Sequence, residues 1–196
     1  MNLFSQPITM SDFLLTIGLV VNVLMITVLL IHFKMKKPFW PPPNPSAWQI
    51  HWVWWSVRIV VICIIGLAIK EWGALGIPDS IRFYLALPLF LGSFVLGTVG
   101  FVHLGWRNTH GEADKFVQSG IYRFSRNPQY VLYSISFVSL GILVASWQAI
   151  LLLVVLSGWY LVAPYPEEKW LEAHYGEEYL AYKQKVSRYI GWSKRA

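Results

Sequence analysis

The stretch that decides the fold is YVLYSISFVSLGILVASWQAILLLVVLSGWYLVA, residues 130–163, which contains no charged side chain. It divides into two apolar runs, Tyr130–Ser146 and Trp147–Ala163, with almost no loop between them. As helices, at about 1.5 Å per residue, the runs are each roughly 25 Å long, slightly short of a bilayer core of about 30 Å. The stretch therefore predicts a tight helical hairpin that spans with local thinning of the bilayer; a re-entrant hairpin is the alternative.

Composition and three further apolar runs place the chain in a membrane. Hydrophobic residues make up 56% of the chain and charged residues 13%, where a soluble domain has about 25% charged residues. The runs Phe13–Phe33, Trp52–Ile69 and Phe83–Trp106 are long enough to cross a bilayer. The first is interpreted as a retained span, because its basic cluster follows the apolar run, whereas a signal peptide carries it in front. We expect an all-α integral membrane protein with about five transmembrane helices and no Rossmann domain.

The distribution of positive charge predicts the orientation. Lys and Arg follow the first span, separate the third from the fourth and fill the C-terminal segment, whereas the segment between spans two and three is nearly balanced. The positive-inside rule then puts the N-terminus outside and the C-terminus in the cytosol. This rule also accounts for the net charge of +6, so no nucleic-acid partner is expected. The membrane would be the cell membrane in a prokaryote and the endoplasmic reticulum in a eukaryote.

Two regions are predicted. Residues 1–106 hold three spans and a Pro-rich cytosolic connector, 34–51. Residues 107–196 comprise a polar loop, 107–129, the hairpin, 130–163, and a cytosolic segment, 164–196, whose apolar spacing indicates two short amphipathic helices broken near Gly176.

Two polar clusters flank the hairpin, and they are the candidate site. One is DKFVQSGIYRFSRNPQY, Asp114–Tyr130, and the other is Glu167-Glu168. A hairpin returns the chain to the side it left, so both clusters should meet at one membrane surface. Anchoring of helix ends by the arginines is the plain alternative. The single cysteine, Cys63, and five scattered histidines predict no metal site.

The order of these motifs around a hairpin resembles the isoprenylcysteine carboxyl methyltransferase family, whose relatives include membrane phospholipid N-methyltransferases. The resemblance covers about the last 90 residues. The matching residues are Gly120, Tyr122, Arg123, Arg126, Pro128, Tyr130, Glu167, Glu168, Leu171, Gly176, Tyr179, Tyr182 and Lys183. Asn127 stands where the family usually has His, and Asp114 replaces a second His. Asn keeps a donor and an acceptor but does not titrate.

The resemblance implies S-adenosylmethionine as the cofactor, with S-adenosylhomocysteine as its product, bound outside any Rossmann fold. Arg126 and Glu167 are then the expected catalytic pair. Arg126 would hold the acceptor, because a guanidinium pairs bidentately with a carboxylate, and Tyr133 would also contact the acceptor. The expected cofactor residues are Lys115, Phe116, Val117, Gly120, Tyr122, Asn127, Pro128, Tyr130, Glu167 and Glu168.

The acceptor implied by the family is the α-carboxylate of a prenylated cysteine, or another lipid-like molecule reaching the site from the bilayer. Three alternatives remain open from the sequence. They are phospholipid N-methylation, a nicotinamide-dependent membrane reductase of the steroid-reductase type, which also has an Arg-x-Pro-x-Tyr turn, and a non-enzymatic membrane protein.

Overall fold

The computed structural model describes residues 8–190 except 38, 45 and 110–114, and the regular structure in these residues is helical throughout. Six main helices are labelled here in chain order: α1 Met10–Lys34, α2 Trp48–Lys70, α3 Asp79–Leu104, α4 Pro128–Val144, α5 Trp147–Val162 and α6 Pro164–Lys185. A short turn of helix, Trp106–Thr109, and a 3-10 turn, Gly120–Arg123, lie between α3 and α4. The all-α expectation is confirmed, and the described residues form no Rossmann sheet.

Four stretches of the described chain are long and apolar enough to cross a bilayer: α1, α2, α3 and Trp147–Lys185, which contains α5 and α6. The apolar part of this last stretch is α5, because α6 carries charged residues along its length. Helix α4 is apolar but shorter, at 17 residues. The predicted spans therefore correspond to α1–α5, each within a few residues of its expected ends.

The hairpin turn is as short as the sequence predicts. Ala145 ends α4 in a left-handed conformation, with φ of 54°, and Ser146 caps α5 by accepting a hydrogen bond from the Ala149 backbone N–H at 3.3 Å. These two residues are the whole connection. Side chains on α4 and α5 consequently pack directly against each other, with Ile150 against the backbone at Gly141.

Small residues allow α3 to approach α4 closely, as is usual for helices that associate in lipid. A Cβ at Gly97 would lie 3.1 Å from a ring carbon of Tyr133, and Ser93 and Ser136 share a hydrogen bond of 2.8 Å between the two helices. Helices α1, α2 and α5 supply most of the buried apolar core, whose fully buried members include Met25, Val60, Leu67, Leu152 and Leu153. The buried Cys63 belongs to the same cluster.

The segment after α2 closes one end of the bundle, called here the capped end. The backbone N–H groups of Gly73 and Leu75 donate to the carbonyls of Val144 and Ala145 at 2.8 Å. Arg82, which is buried, donates through Nε to the Leu143 carbonyl at 3.0 Å. Carbonyls at the end of α4 thereby gain partners, and the hairpin turn is fixed.

Two helices deviate from regular geometry, one near a proline and one at a glycine. Pro88 has no N–H to donate within α3, and a π-helical turn, Arg82–Ala86, ends two residues before it. In α6, Gly176 has φ of 49° and ψ of −127°, which breaks the helix where a break was predicted.

Candidate functional site

The opposite end of the bundle, called here the polar end, carries both predicted clusters. Helix α6 begins with Pro164, a residue suited to a first turn because its missing N–H has no helical partner there. Glu167 and Glu168 follow three and four residues later in the same helix. Neighbouring residues of a helix point about 100° apart, so the two carboxylates lie in different surroundings: Glu168 among arginines and Glu167 among aromatic side chains.

Glu168 is the centre of a charge cluster with Arg126 and Arg188, called here the arginine cluster. Arg126 donates to Oε1 of Glu168 through Nε at 3.2 Å and Nη2 at 2.9 Å. Arg188 donates through Nε to Oε1 and through Nη2 to Oε2, both at 2.8 Å. The side chains of Glu168 and Arg126 are only 4% and 8% exposed. This is a buried ion pair with a half-buried third member, and it ties the loop before α4 to α6.

The electrostatics keep Glu168 ionised. Burial by itself raises the pKa of Glu168, but the hydrogen bonds from Arg188 and the charge of Arg126 outweigh it and hold the pKa below its usual range.

Arg126 has a protein acceptor for every nitrogen of its guanidinium. Besides its two bonds to Glu168, it donates through Nη1 to the Lys183 carbonyl at 2.8 Å, and its backbone N–H donates to the Ser187 carbonyl at 2.9 Å. The sequence predicts that Arg126 holds the acceptor. In this arrangement the guanidinium holds Glu168, and its role toward an acceptor stays a prediction.

Glu167 lies among aromatic residues. Its Oε1 accepts from the Trp40 indole N–H at 2.5 Å and from the Tyr130 hydroxyl. Burial raises the pKa of Glu167 to about 7, although the bonds from Tyr130 and Trp40 lower it; the neighbouring Glu168 charge raises it further. Part of the residue still reaches the surface. The carboxyl therefore titrates near neutral pH, which suits a group that binds or takes up a proton.

An aromatic wall continues from Tyr130 along the hairpin. The Tyr160 ring contacts those of Tyr130, Tyr133 and Phe137, with centroids 5.3, 6.0 and 5.3 Å apart. Tyr133, predicted to contact the acceptor, is thus on this wall and has no described hydrogen bond to either carboxylate. The wall runs from the polar end toward the apolar interior of the bundle.

Tyr122 joins the loop before α4 to α6. Its hydroxyl accepts from Gln129 at 2.7 Å, and its carbonyl accepts from the Tyr182 hydroxyl at 2.5 Å. Gly120 precedes it with φ of 61°, and a Cβ there would lie 3.3 Å from Nε2 of His103. Gly120 therefore meets both the conformation and the close approach that favour glycine, with His103 as the neighbour.

The predicted cofactor residues of the polar loop line a pocket. Residues 115–119 and His103 line an open pocket of about 460 Å³. Phe116 contacts the rings of Tyr175, Tyr179 and Tyr182 on α6, with centroids 5.0, 5.7 and 5.4 Å apart. Lys115, Phe116 and Val117 are thus brought together at one pocket, and Tyr182 connects it to the loop that holds Arg126.

The remaining predicted residues lie around the start of α4. Pro128 is buried at the first position of the helix, and Asn127 donates through Nδ2 to the Arg188 carbonyl at 3.1 Å. Arg123 is exposed and lies over the Phe124 ring at 4.6 Å. Asp114 lies outside the described residues. Within the described part of the chain, no group of three or more His, Cys, Asp or Glu could hold a metal ion.

Two residues of the site, Trp40 and Arg188, were not among the sequence predictions. Trp40 belongs to the Pro-rich connector, from which no site residue was predicted. Arg188 was counted as one of many positive charges in the C-terminal segment. No local pattern marks either residue, because their partners Glu167 and Glu168 are distant in sequence.

The fold and the site define an all-helical membrane protein with a polar site at one end of an apolar bundle. A model of the phospholipid methyltransferase family (PEMT) matches residues 81–178, and the chain belongs to this family. The family includes membrane methyltransferases like the isoprenylcysteine carboxyl methyltransferases, so the resemblance is confirmed at the level of the family. No curated protein and no solved structure matches the chain significantly. The family indicates a methyltransferase and favours this class over a reductase or a non-enzymatic membrane protein.

Proposed function

We propose that the chain transfers a methyl group from S-adenosylmethionine to an amphipathic acceptor that reaches the polar end from the bilayer. The observation that carries the proposal is the position of the loop pocket and the two carboxylates at one end of an apolar bundle. That end includes the loop 115–130 and the start of α6, both inside the family match. We further propose that it is the cytosolic end, as the charge distribution predicts.

The described residues fit this cofactor. Lys115, Phe116 and Val117 line the open pocket and can offer backbone groups and an apolar wall to an adenine. The further candidates for contacting the cofactor lie across the loop: Gly120, Tyr122, Asn127 and Pro128. The cofactor carries two cationic groups, and Tyr130 and Glu167 supply an aromatic face and a carboxylate that suit a cation. Glu168 would act indirectly, by fixing Arg126.

When bound, S-adenosylmethionine supplies an electrophilic methyl group on a sulfonium. The protein's part is to bind, orient and desolvate the acceptor so that it is in line with that methyl group. A carboxylate acceptor is already deprotonated at neutral pH and needs no base. We therefore propose the α-carboxylate of a prenylated cysteine as the first acceptor to test. Arg126 would be its binding group, after the guanidinium is released from part of its contact with Glu168.

A second acceptor, the amine of a phospholipid headgroup, is favoured by Glu167. An alkylammonium must lose a proton before its nitrogen can attack, and a carboxyl with a pKa of about 7 can accept that proton. The family match fits both acceptors equally. The two routes differ in the residue they need: Arg126 for the carboxylate and Glu167 for the amine.

The test begins with cofactor binding to the purified, monodisperse protein. We expect S-adenosylhomocysteine to bind in a calorimetric titration and NADPH not to bind. Transfer of a labelled methyl group is then measured with a farnesylated cysteine, an isoprenoid acid and phosphatidylethanolamine, each in lipid nanodiscs. Arg123→Ala is the matched control for the loss of a positive charge from the same loop, because Arg123 is exposed. Binding of NADPH alone, or of neither cofactor, contradicts the proposal.

A further inference from the structure

Phe39 and Trp40, in the Pro-rich connector between α1 and α2, are buried, and Trp40 reaches the site. Phe39 is 2% exposed and packs against His32 and Trp48, with ring centroids 5.1 and 5.9 Å apart. Trp40 is 9% exposed and contacts Trp159 of α5, with centroids 6.5 Å apart. The connector lies outside residues 81–178, so it brings to the polar end a side chain that the family match does not include.

Trp40 and Tyr130 occupy the same oxygen of Glu167. Both hydrogen bonds go to Oε1, and no donor among the described residues reaches Oε2. Two donors on one oxygen restrict the rotation of the carboxyl group. Oε2 is therefore held in one direction and remains able to accept from a ligand.

Glu167 also differs from its neighbour in having no cationic partner. The described ion pairs include Glu168 with two arginines but none with Glu167. Trp40 and Tyr130 contribute aromatic rings beside it, and the Tyr160 ring packs on the ring of Tyr130. A carboxylate beside aromatic rings, without a protein cation, is complementary to an organic ammonium group, which gains both an ion pair and contacts with the rings.

We propose that Trp40 is a positioning residue of the methyl-transfer site, holding Oε1 of Glu167 so that Oε2 binds an alkylammonium group. This inference rests on the proposed function. The ammonium can come from the methionyl part of the cofactor or from an amine acceptor. The chemistry is the same in both cases, and the experiment separates the two sources.

The perturbation is Trp40→Phe, which keeps an aromatic ring and removes the indole N–H. Trp48→Phe is the matched control, because Trp48 is at the same end of the bundle, is 54% exposed and makes no described contact with Glu167. Loss of one hydrogen bond to a charged group should weaken ligand binding about tenfold or more. If Trp40→Phe does not yield monodisperse protein, Tyr130→Phe removes the other donor to the same oxygen and is expected to have the same effect.

Two measurements separate the sources. If the cofactor supplies the ammonium, Trp40→Phe lowers the affinity for S-adenosylhomocysteine in a calorimetric titration. If the acceptor supplies it, that affinity stays at the parent value and the KM for phosphatidylethanolamine rises about tenfold at saturating cofactor, with a smaller change in kcat.

A pH series distinguishes positioning from mere packing. The indole N–H favours the ionised carboxylate, so its removal raises the pKa of Glu167 and moves the acidic limb of ligand binding to higher pH. The charged or titratable groups that act on Glu167 are Glu168 on α6 and Tyr130 on α4, and Tyr122 and Tyr189 are near enough to sense its charge. None of them is changed in Trp40→Phe.

Two results in Trp40→Phe that are absent from Trp48→Phe support the inference. One is a tenfold lower affinity for S-adenosylhomocysteine or a tenfold higher KM for phosphatidylethanolamine. The other is a shift of the acidic limb of ligand binding to higher pH. The inference is overturned if the parent binds S-adenosylhomocysteine and a folded Trp40→Phe variant equals the parent in affinity, KM and pH profile. The proposed function is unaffected by that result. A parent that binds no S-adenosylhomocysteine overturns both.

Discussion

Glu168→Gln should be the most destabilising single change at the polar end. Glu168 receives four hydrogen bonds, two each from Arg126 and Arg188. A glutamine keeps the size of the side chain but removes its charge and replaces one acceptor by an NH₂ group that points at a guanidinium. Arg126, whose side chain is 8% exposed, then has no counter-charge.

The magnitude follows from this burial. Removing one partner of a buried ion pair costs about 3–5 kcal/mol, because the remaining charge stays out of water without compensation. Arg188 is 28% exposed and can be partly rehydrated, so it adds less. For a chain of this length, 1 kcal/mol corresponds to about 2–4 °C in Tm, so the expected loss is roughly 6–20 °C.

The assay is thermal unfolding of the purified variants, followed by intrinsic tryptophan fluorescence under identical detergent and scan rate. Arg126→Ala should be less destabilising than Glu168→Gln, because Arg188 still neutralises Glu168. Arg188→Ala should be milder again, and the exposed Arg123→Ala should be close to the parent. A Glu168→Gln variant within about 2 °C of the parent would refute the arginine cluster as a structural element.

The same series separates the two possible roles of Arg126. If it only holds α6, the loss of methyl transfer in Arg126→Ala should follow the loss of stability and of S-adenosylhomocysteine affinity. If it binds the acceptor, turnover falls at least tenfold below what the retained affinity and fold would give.

Three further outcomes are expected. Gly97→Ala should be less stable than Gly92→Ala on the same helix by about 1–3 kcal/mol, because a Cβ at Gly97 would lie 3.1 Å from a ring carbon of Tyr133, whereas one at Gly92 meets nothing within 4 Å; thermal unfolding compares them. The pKa of Glu167 is raised from 4.5 to about 7, so the stability that this group contributes is fully present below pH 4.5 and is lost as pH rises through 7. Between pH 5 and pH 8, the free energy of unfolding of the ligand-free parent, measured relative to Glu167→Gln, should fall by up to about 3 kcal/mol. Finally, a cysteine introduced at Ser5, which lies outside the described residues, should react with an impermeant thiol reagent from outside intact cells, because the charge distribution predicts an external N-terminus. The native Cys63 is buried and should give no background labelling. Labelling from the cytosolic side alone would reverse the proposed orientation.

The sequence alone determined the features that depend on local or one-dimensional patterns. Three apolar runs of bilayer length and two slightly shorter ones specify the five helices, since a backbone in lipid must satisfy its hydrogen bonds within the helix. The uncharged stretch 130–163, with its very short turn, predicted the hairpin. Gly176 predicted the break in α6, because glycine is the residue that most readily adopts φ of 49°.

The tertiary structure decided which polar groups meet. Glu167 and Glu168 are adjacent in sequence, but their directions on α6 put one beside Trp40 and the other beside Arg126 and Arg188. Trp40 and Glu167 are 127 positions apart, and their contact depends on how α1, α2 and α5 pack. Hydrophobic patterning specifies that these helices associate, but the small residues and side-chain fit at their contacts specify the relative rotation. That rotation determines which side chains face the carboxylates, and it is a property of the packed bundle and not of any one segment.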